Sequence, residues 1–200
     1  MLNAVPRILV YSRIVIGLVC VFLAWQVDDF RFWIFALMLT GLLTDIFDGI
    51  IARRLGVSTV ALRKLDSLVD RFFWLMIFAS CYLRYPLYTA SIIPWVGVIL
   101  LCEALVFLIS WFRFKKGPSP HNLISKAWGI SVAVAFSVII LSGSSQIAFQ
   151  IMLGFAILSR FDSALIYIIL PRWDHDIPSF YHAMLIRKGK SITRNSLLNG

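Results

Sequence analysis

Residues 44–71 read TDIFDGIIARRLGVSTVALRKLDSLVDR and place four aspartates, Asp45, Asp48, Asp66 and Asp70, inside or beside apolar runs long enough to cross a bilayer. An ionised carboxylate at that depth needs water, a cation or a positive partner. The first pair is spaced i,i+3 and the second i,i+4. On helices each pair therefore shares one face, with side-chain origins about 5–6 Å apart. Two facing helices would bring four carboxylates into one small volume, where like charges repel unless something positive lies among them. Hard divalent cations such as Mg2+ meet that need, because they take carboxylate oxygens and leave positions open for phosphate oxygens.

The plain alternative is a pair of solvated helix ends joined by ordinary ion pairs. Two neighbours argue against it. Gly49 directly follows Asp48, where a missing side chain lets a ligand or a second helix approach. Arg53 follows on the same segment and offers a planar fork suited to phosphate. Carboxylates for metal, a gap for a ligand and a guanidinium for its charge describe a site for phosphate transfer.

Outward from this stretch, the chain is 60% hydrophobic and only 14% charged over 200 residues. Soluble domains carry about a quarter charged residues, so this is a polytopic membrane protein. Spanning segments are predicted at about 8–27, 32–51, 60–83, 91–112, 123–141 and 147–170. The expected fold is all-α, with six transmembrane helices in one bundle formed by residues 1–170 and a basic tail at 171–200. Gly56 should break the second helix, and Ser58 or Thr59 should cap the third. Both aspartate pairs then lie near the same membrane face. Arg13, a turn or more into the first span, either snorkels to the interface or faces the aspartates. Arg160 and Asp162 fall inside the sixth span, where they serve packing and local charge balance or join the polar cavity. An apolar patch at 180–186 in the tail suits the membrane interface.

An even number of spans puts both termini on one side. That side receives Arg7, Arg53, Arg54, Arg63, Lys64, Arg113, Lys115, Lys116 and the tail, whereas the opposite loops hold only Arg31 and Arg84. The positive-inside rule assigns the termini and the aspartates to the cytoplasmic face, as expected for a bacterial inner-membrane protein. The formal net charge of +9 is then explained by topology and anionic lipid headgroups. No nucleic-acid motif, Walker loop or compact histidine cluster competes with that reading, since His121, His175 and His182 are dispersed. Cys20, Cys81 and Cys102 sit in apolar segments at unrelated spacings, which suggests neither a disulfide framework nor a zinc motif.

With these residues in hand, the chain resembles the CDP-alcohol phosphotransferase family, whose pattern is D-x-x-D-G-x-x-A-R, eight residues, then G-x-x-x-D-x-x-x-D. Here it reads Asp45, Asp48, Gly49, Ala52, Arg53, Asp66 and Asp70, with Leu62 where the family has its second glycine. The opening NAVPRILVYSR, ending in Arg13, is also similar to the family's. The resemblance implies transfer of a phosphatidyl group from CDP-diacylglycerol to a small polar alcohol with release of CMP, in phospholipid biosynthesis. It implies two divalent cations, Mg2+ or Mn2+, on Asp45, Asp48, Asp66 and Asp70, with Asp70 also the general base. Gly49, Ala52 and Arg53 would surround the CDP moiety. A homodimer is compatible with it. Lys64, Arg113, Lys115, Lys116 and Lys126 favour a phosphorylated acceptor, glycerol 3-phosphate first and inositol phosphate as the alternative. Of the phosphatidylglycerophosphate synthase features, only Glu103 and Lys126 match. A transporter or scaffold that keeps the polar cavity is the reading from a different class.

Overall fold

The computed structural model describes residues 5–57, 59–118, 122–175 and 177–190. They form seven helices: α1 (Val5–Gln26), α2 (Phe30–Arg54), α3 (Val60–Arg84), α4 (Pro86–Phe114), α5 (Leu123–Ser142), α6 (Gln146–Ile169) and α7 (Phe180–Arg187). The described residues contain no strand.

The helix ends follow local chemistry. Gly56 turns out of α2 with φ of 65°, a backbone conformation that costs a glycine little. Thr59 then caps α3 by accepting from the Leu62 N–H at 3.1 Å. α4 begins at Pro86, ahead of the expected start, because proline is already set for the first helical position and has no N–H to leave unpaired. Asn122 accepts from the Ser125 N–H at 2.7 Å to open α5. Ser145 does the same for α6 through the Ala148 N–H.

Among the described residues, five helices are long and apolar enough to cross a membrane: α1, α2 through Ala52, α4, α5 and α6. The chain is thus an all-α membrane-spanning protein. α3 has the length, at 25 residues, but its first half carries Arg63, Lys64, Asp66, Asp70 and Arg71.

The chain divides into two compact units, Met1–Ala90 with Phe136–Ser144 and Ser91–Ala135 with Ser145–Gly200. In the first, α1 packs on both α2 and α3. Its buried residues are Pro6, Val10, Arg13, Gly17, Cys20 and Ala24, alternating four and three apart as in a helix seam. A Cβ on Gly17 would meet Met76 at 3.1 Å, and one on Gly41 would meet the Phe73 ring at 2.5 Å. These missing side chains let helices approach closely where lipid gives no hydrophobic drive to associate. Cys20, Ala24, Phe30, Ile34, Met38, Phe73, Ile77 and Cys81 continue the core away from the aspartates, joined by Ile139 and Ile140 of α5.

In the second unit, Val106, Ile166, Tyr167 and Leu170 pack with Ile177 and Ala183. The patch expected at the membrane interface is therefore a helix, α7, with one face buried in this core. Arg113 donates to the Ile168 and Leu170 carbonyls at the end of α6, where unpaired carbonyls and the helix dipole favour a cation.

Candidate metal centre

The close packing at Gly17, Gly41 and Phe73 sets the site one helical turn away. Arg13 precedes Gly17 by four residues, Asp45 follows Gly41 by four, and Asp70 precedes Phe73 by three, so all three side chains reach the same level. Asp48 and Asp66 complete the ring from the same two helices. Arg13 lies inside it, 1% exposed. Its Nη1 donates to Asp45 at 2.7 Å and to Asp70. Its Nη2 donates to Asp48 at 2.5 Å and to Asp66. The snorkelling alternative for Arg13 is thereby set aside. A signal was present in the sequence: Arg13 is the charged member of a seam otherwise made of small or apolar residues.

The four carboxylates are not equivalent. Asp48 is the floor, with its side chain 5% exposed, while those of Asp45, Asp66 and Asp70 are each about a third exposed. Three of the expected ligands, Asp45, Asp48 and Asp66, each offer an oxygen within 4.8 Å of the others and form a cluster that could hold a divalent cation. Oxygens on one Mg2+ at 2.0–2.1 Å lie about 2.9 Å apart when adjacent and about 4.2 Å apart when opposite, so the three carboxylates would draw together around a bound ion. The donor set is all oxygen, as hard cations require. A positive group is already accommodated at its centre.

Of the other expected site residues, Gly49 is half-buried on α2 beside Asp48, and Ala52 is buried one turn further on. The side chains of Arg53, Arg63 and Lys64 lie outside the described residues, as do Ser58 and His121. Leu62 is half-buried in the first turn of α3. The basic residues expected to favour a phosphorylated acceptor include three with local partners in the second unit. Arg113 caps α6, Lys115 lies over the Phe112 ring, and Lys116 lies over Trp173.

The second unit holds the remaining membrane charges. Arg160 donates to Glu103 at 2.9 Å and lies 4.3 Å from the Trp128 ring centre. Asp162 is buried and accepts from Asn122 Nδ2 at 2.8 Å and from the Phe180 N–H at 3.0 Å. Both arrangements tie helices together within this unit.

Among the described residues, five helices long and apolar enough to cross a membrane, with an acidic cluster that could hold a divalent cation, make this an integral membrane protein with a candidate metal centre. The profile of the CDP-alcohol phosphatidyltransferase family matches residues 3–160, and the chain belongs to that family. Membership supports transferase activity. No curated protein and no solved structure matches the chain.

Proposed function

We propose that this protein transfers a phosphatidyl group from CDP-diacylglycerol to an alcohol, releasing CMP, with glycerol 3-phosphate as the acceptor. The reading is carried by one observation: four aspartates from two helices surround a single positive group in a chain of this family. One guanidinium against four carboxylates leaves up to three negative charges uncompensated, a surplus suited to divalent cations.

Asp45, Asp48 and Asp66, together with Asp70, would hold two such ions, Mg2+ or Mn2+. When bound, these supply positive charge to the phosphate oxygens of substrate and leaving group. The partly exposed Asp70 carboxylate takes the proton from the acceptor hydroxyl. The acceptor oxygen forms its bond to the phosphorus bearing diacylglycerol as the bond from that phosphorus to the CMP oxygen breaks. A carboxylate with an ordinary pKa of ~4 is a weak base toward an alcohol, so holding the hydroxyl in line is a large part of its work. Gly49 and Ala52 leave room for the nucleotide, and Arg53 pairs with its phosphates. α3 serves as a sixth span, with the site and both termini at the cytoplasmic face of an inner membrane.

The test is CMP release from CDP-diacylglycerol by the detergent-solubilised protein, across a panel of acceptors with lipid products identified by mass. Release that needs both an acceptor and Mg2+ or Mn2+ is expected, with glycerol 3-phosphate preferred over inositol phosphate. Release without dependence on either cation would sink the proposal.

A further inference from the structure

We infer that Arg13 is a built-in cation that closes the aspartate cluster when no divalent cation is bound and must withdraw before one can enter. The inference rests on the metal reading of the cluster proposed above.

Each Nη of Arg13 is shared between one aspartate of α2 and one of α3. The guanidinium thus bridges the two helices at the level where the carboxylates converge. The oxygens that would ligate a cation lie within 4.8 Å of one another, and three of the same aspartates, Asp45, Asp48 and Asp66, are already hydrogen-bonded to Arg13. A guanidinium and a divalent ion in so small a space would compete for the same oxygens and repel each other. One occupant excludes the other.

The fit of Arg13 is also incomplete. Its Nε is buried and has no hydrogen-bond partner, although buried donors are ordinarily satisfied. The Arg160 Nε in the second unit is buried and unpartnered in the same way, so the distinction lies in the number of carboxylates each guanidinium faces, four for Arg13 against one for Arg160. A placeholder holds the carboxylates together and yields to a species of higher charge. Arg13 lies on α1, whereas all four carboxylates lie on α2 and α3. It can therefore leave without dismantling the ligand set.

The consequence is an apparent metal affinity reduced by the fraction of molecules in which Arg13 occupies the site. If Arg13 fills it in nine molecules of ten, removing the guanidinium tightens apparent binding by about tenfold. A site whose carboxylates merely needed Arg13 as a brace would change in the opposite direction.

The experiment is Mn2+ titration of the full-length, detergent-solubilised protein, following the free ion by electron paramagnetic resonance. Wild type is compared with Arg13→Gln and Arg13→Lys, all purified in Mn2+ and stripped immediately before titration. Arg13→Gln should bind Mn2+ about tenfold more tightly than wild type. Arg13→Lys keeps a charge but lacks the two-armed fork, and should fall between them. The metal-free melting temperature should drop in Arg13→Gln and recover when Mn2+ is added. Should Arg13→Gln not survive stripping, the order of wild type and Arg13→Lys decides. Equal or weaker binding by the variants overturns the inference while leaving the metal reading in place. Absence of Mn2+ binding by wild type and variants alike overturns both.

Discussion

Buried carboxylates occur in both units, but their charge is balanced in different ways. Asp162 in the second unit accepts from the first N–H of α7 and from Asn122, which itself caps α5. A single carboxylate thus meets an amide and a helix N-terminus, whose partial positive charge favours an anion. The neighbouring Arg160 has its own acid in Glu103. In the first unit four carboxylates share one guanidinium, and three of them are partly open. Balanced charge that joins helix ends serves architecture; surplus charge of one sign, partly open, calls for a ligand. The largest effects of mutation on activity should therefore come from the first unit, and effects confined to stability from the second.

The sharpest test of that division compares Asp70→Asn with Asp48→Asn. Both nearly preserve size, so the difference reports charge and chemistry. Asp48→Asn removes the buried floor of the cluster, and metal affinity and turnover should fall together, with partial recovery at high Mn2+ or Mg2+. Asp70→Asn also removes the proposed base, so saturating metal should leave the rate lowered by about 10²-fold or more. CMP release measured across a metal titration, with folding checked separately, distinguishes them. Recovery of Asp70→Asn to near-parental turnover, without recovery of Asp48→Asn, would show the proposed roles to be wrong and place the base elsewhere in the cavity.

Much of this was legible in the sequence because long apolar runs and their Gly, Pro and Ser breaks mark helix ends directly. The six long helices begin and end close to the expected places, and the aspartate spacing anticipated their convergence. What depended on tertiary contacts was harder to read. α7 is eight residues long, too short to be stable alone. Its N-cap residue Ser179 makes no side-chain capping bond, its hydroxyl pairing with the His182 ring, and the first N–H of the helix is met instead by Asp162, eighteen residues back. No local pattern encodes that contact. The choice between snorkelling and inward orientation of Arg13 likewise turned on which face of α1 the small residues select.

Asp162→Ala should show the opposite balance to the aspartate variants. It leaves the Phe180 N–H without its acceptor and removes one of the partners of Asn122 Nδ2, costing about 1–3 kcal/mol. A lower melting temperature is expected, with Mn2+ affinity and turnover per folded molecule unchanged. A hundredfold loss of turnover in fully folded protein would show that this carboxylate belongs to the chemistry.

Gly41→Ala probes the packing that supports the first unit. Its Cβ would lie 2.5 Å from the Phe73 ring, and such overpacking commonly costs 1–3 kcal/mol, so a destabilisation of about that size is expected. Because the clash lies one turn from Asp45, Mn2+ affinity should weaken as well, by several-fold. Stability lost with no change in Mn2+ affinity would disconnect the close helix approach from the geometry of the cluster.

The smallest expected effects come from a mirror pair, Leu62→Gly in the first unit and Gly154→Ala in the second. Each falls within a helix, so backbone propensity alone predicts opposite shifts of up to about 1 kcal/mol, destabilising for Leu62→Gly and stabilising for Gly154→Ala. Nothing lies within 4 Å of a Cβ on Gly154, so the alanine meets no neighbour and should leave kinetics alone. Leu62 is half-buried in the first turn of α3, one turn before Asp66, where the family pattern has glycine. Removing its side chain should open space beside the nucleotide, changing KM for the CDP substrate by a few-fold while leaving the metal requirement in place. Melting curves report the shared backbone effect, and initial rates over a CDP-diacylglycerol series report the effect special to Leu62. An unchanged KM in Leu62→Gly would mean that this side chain does not constrain nucleotide binding, while a changed KM in Gly154→Ala would extend the substrate's influence into the second unit.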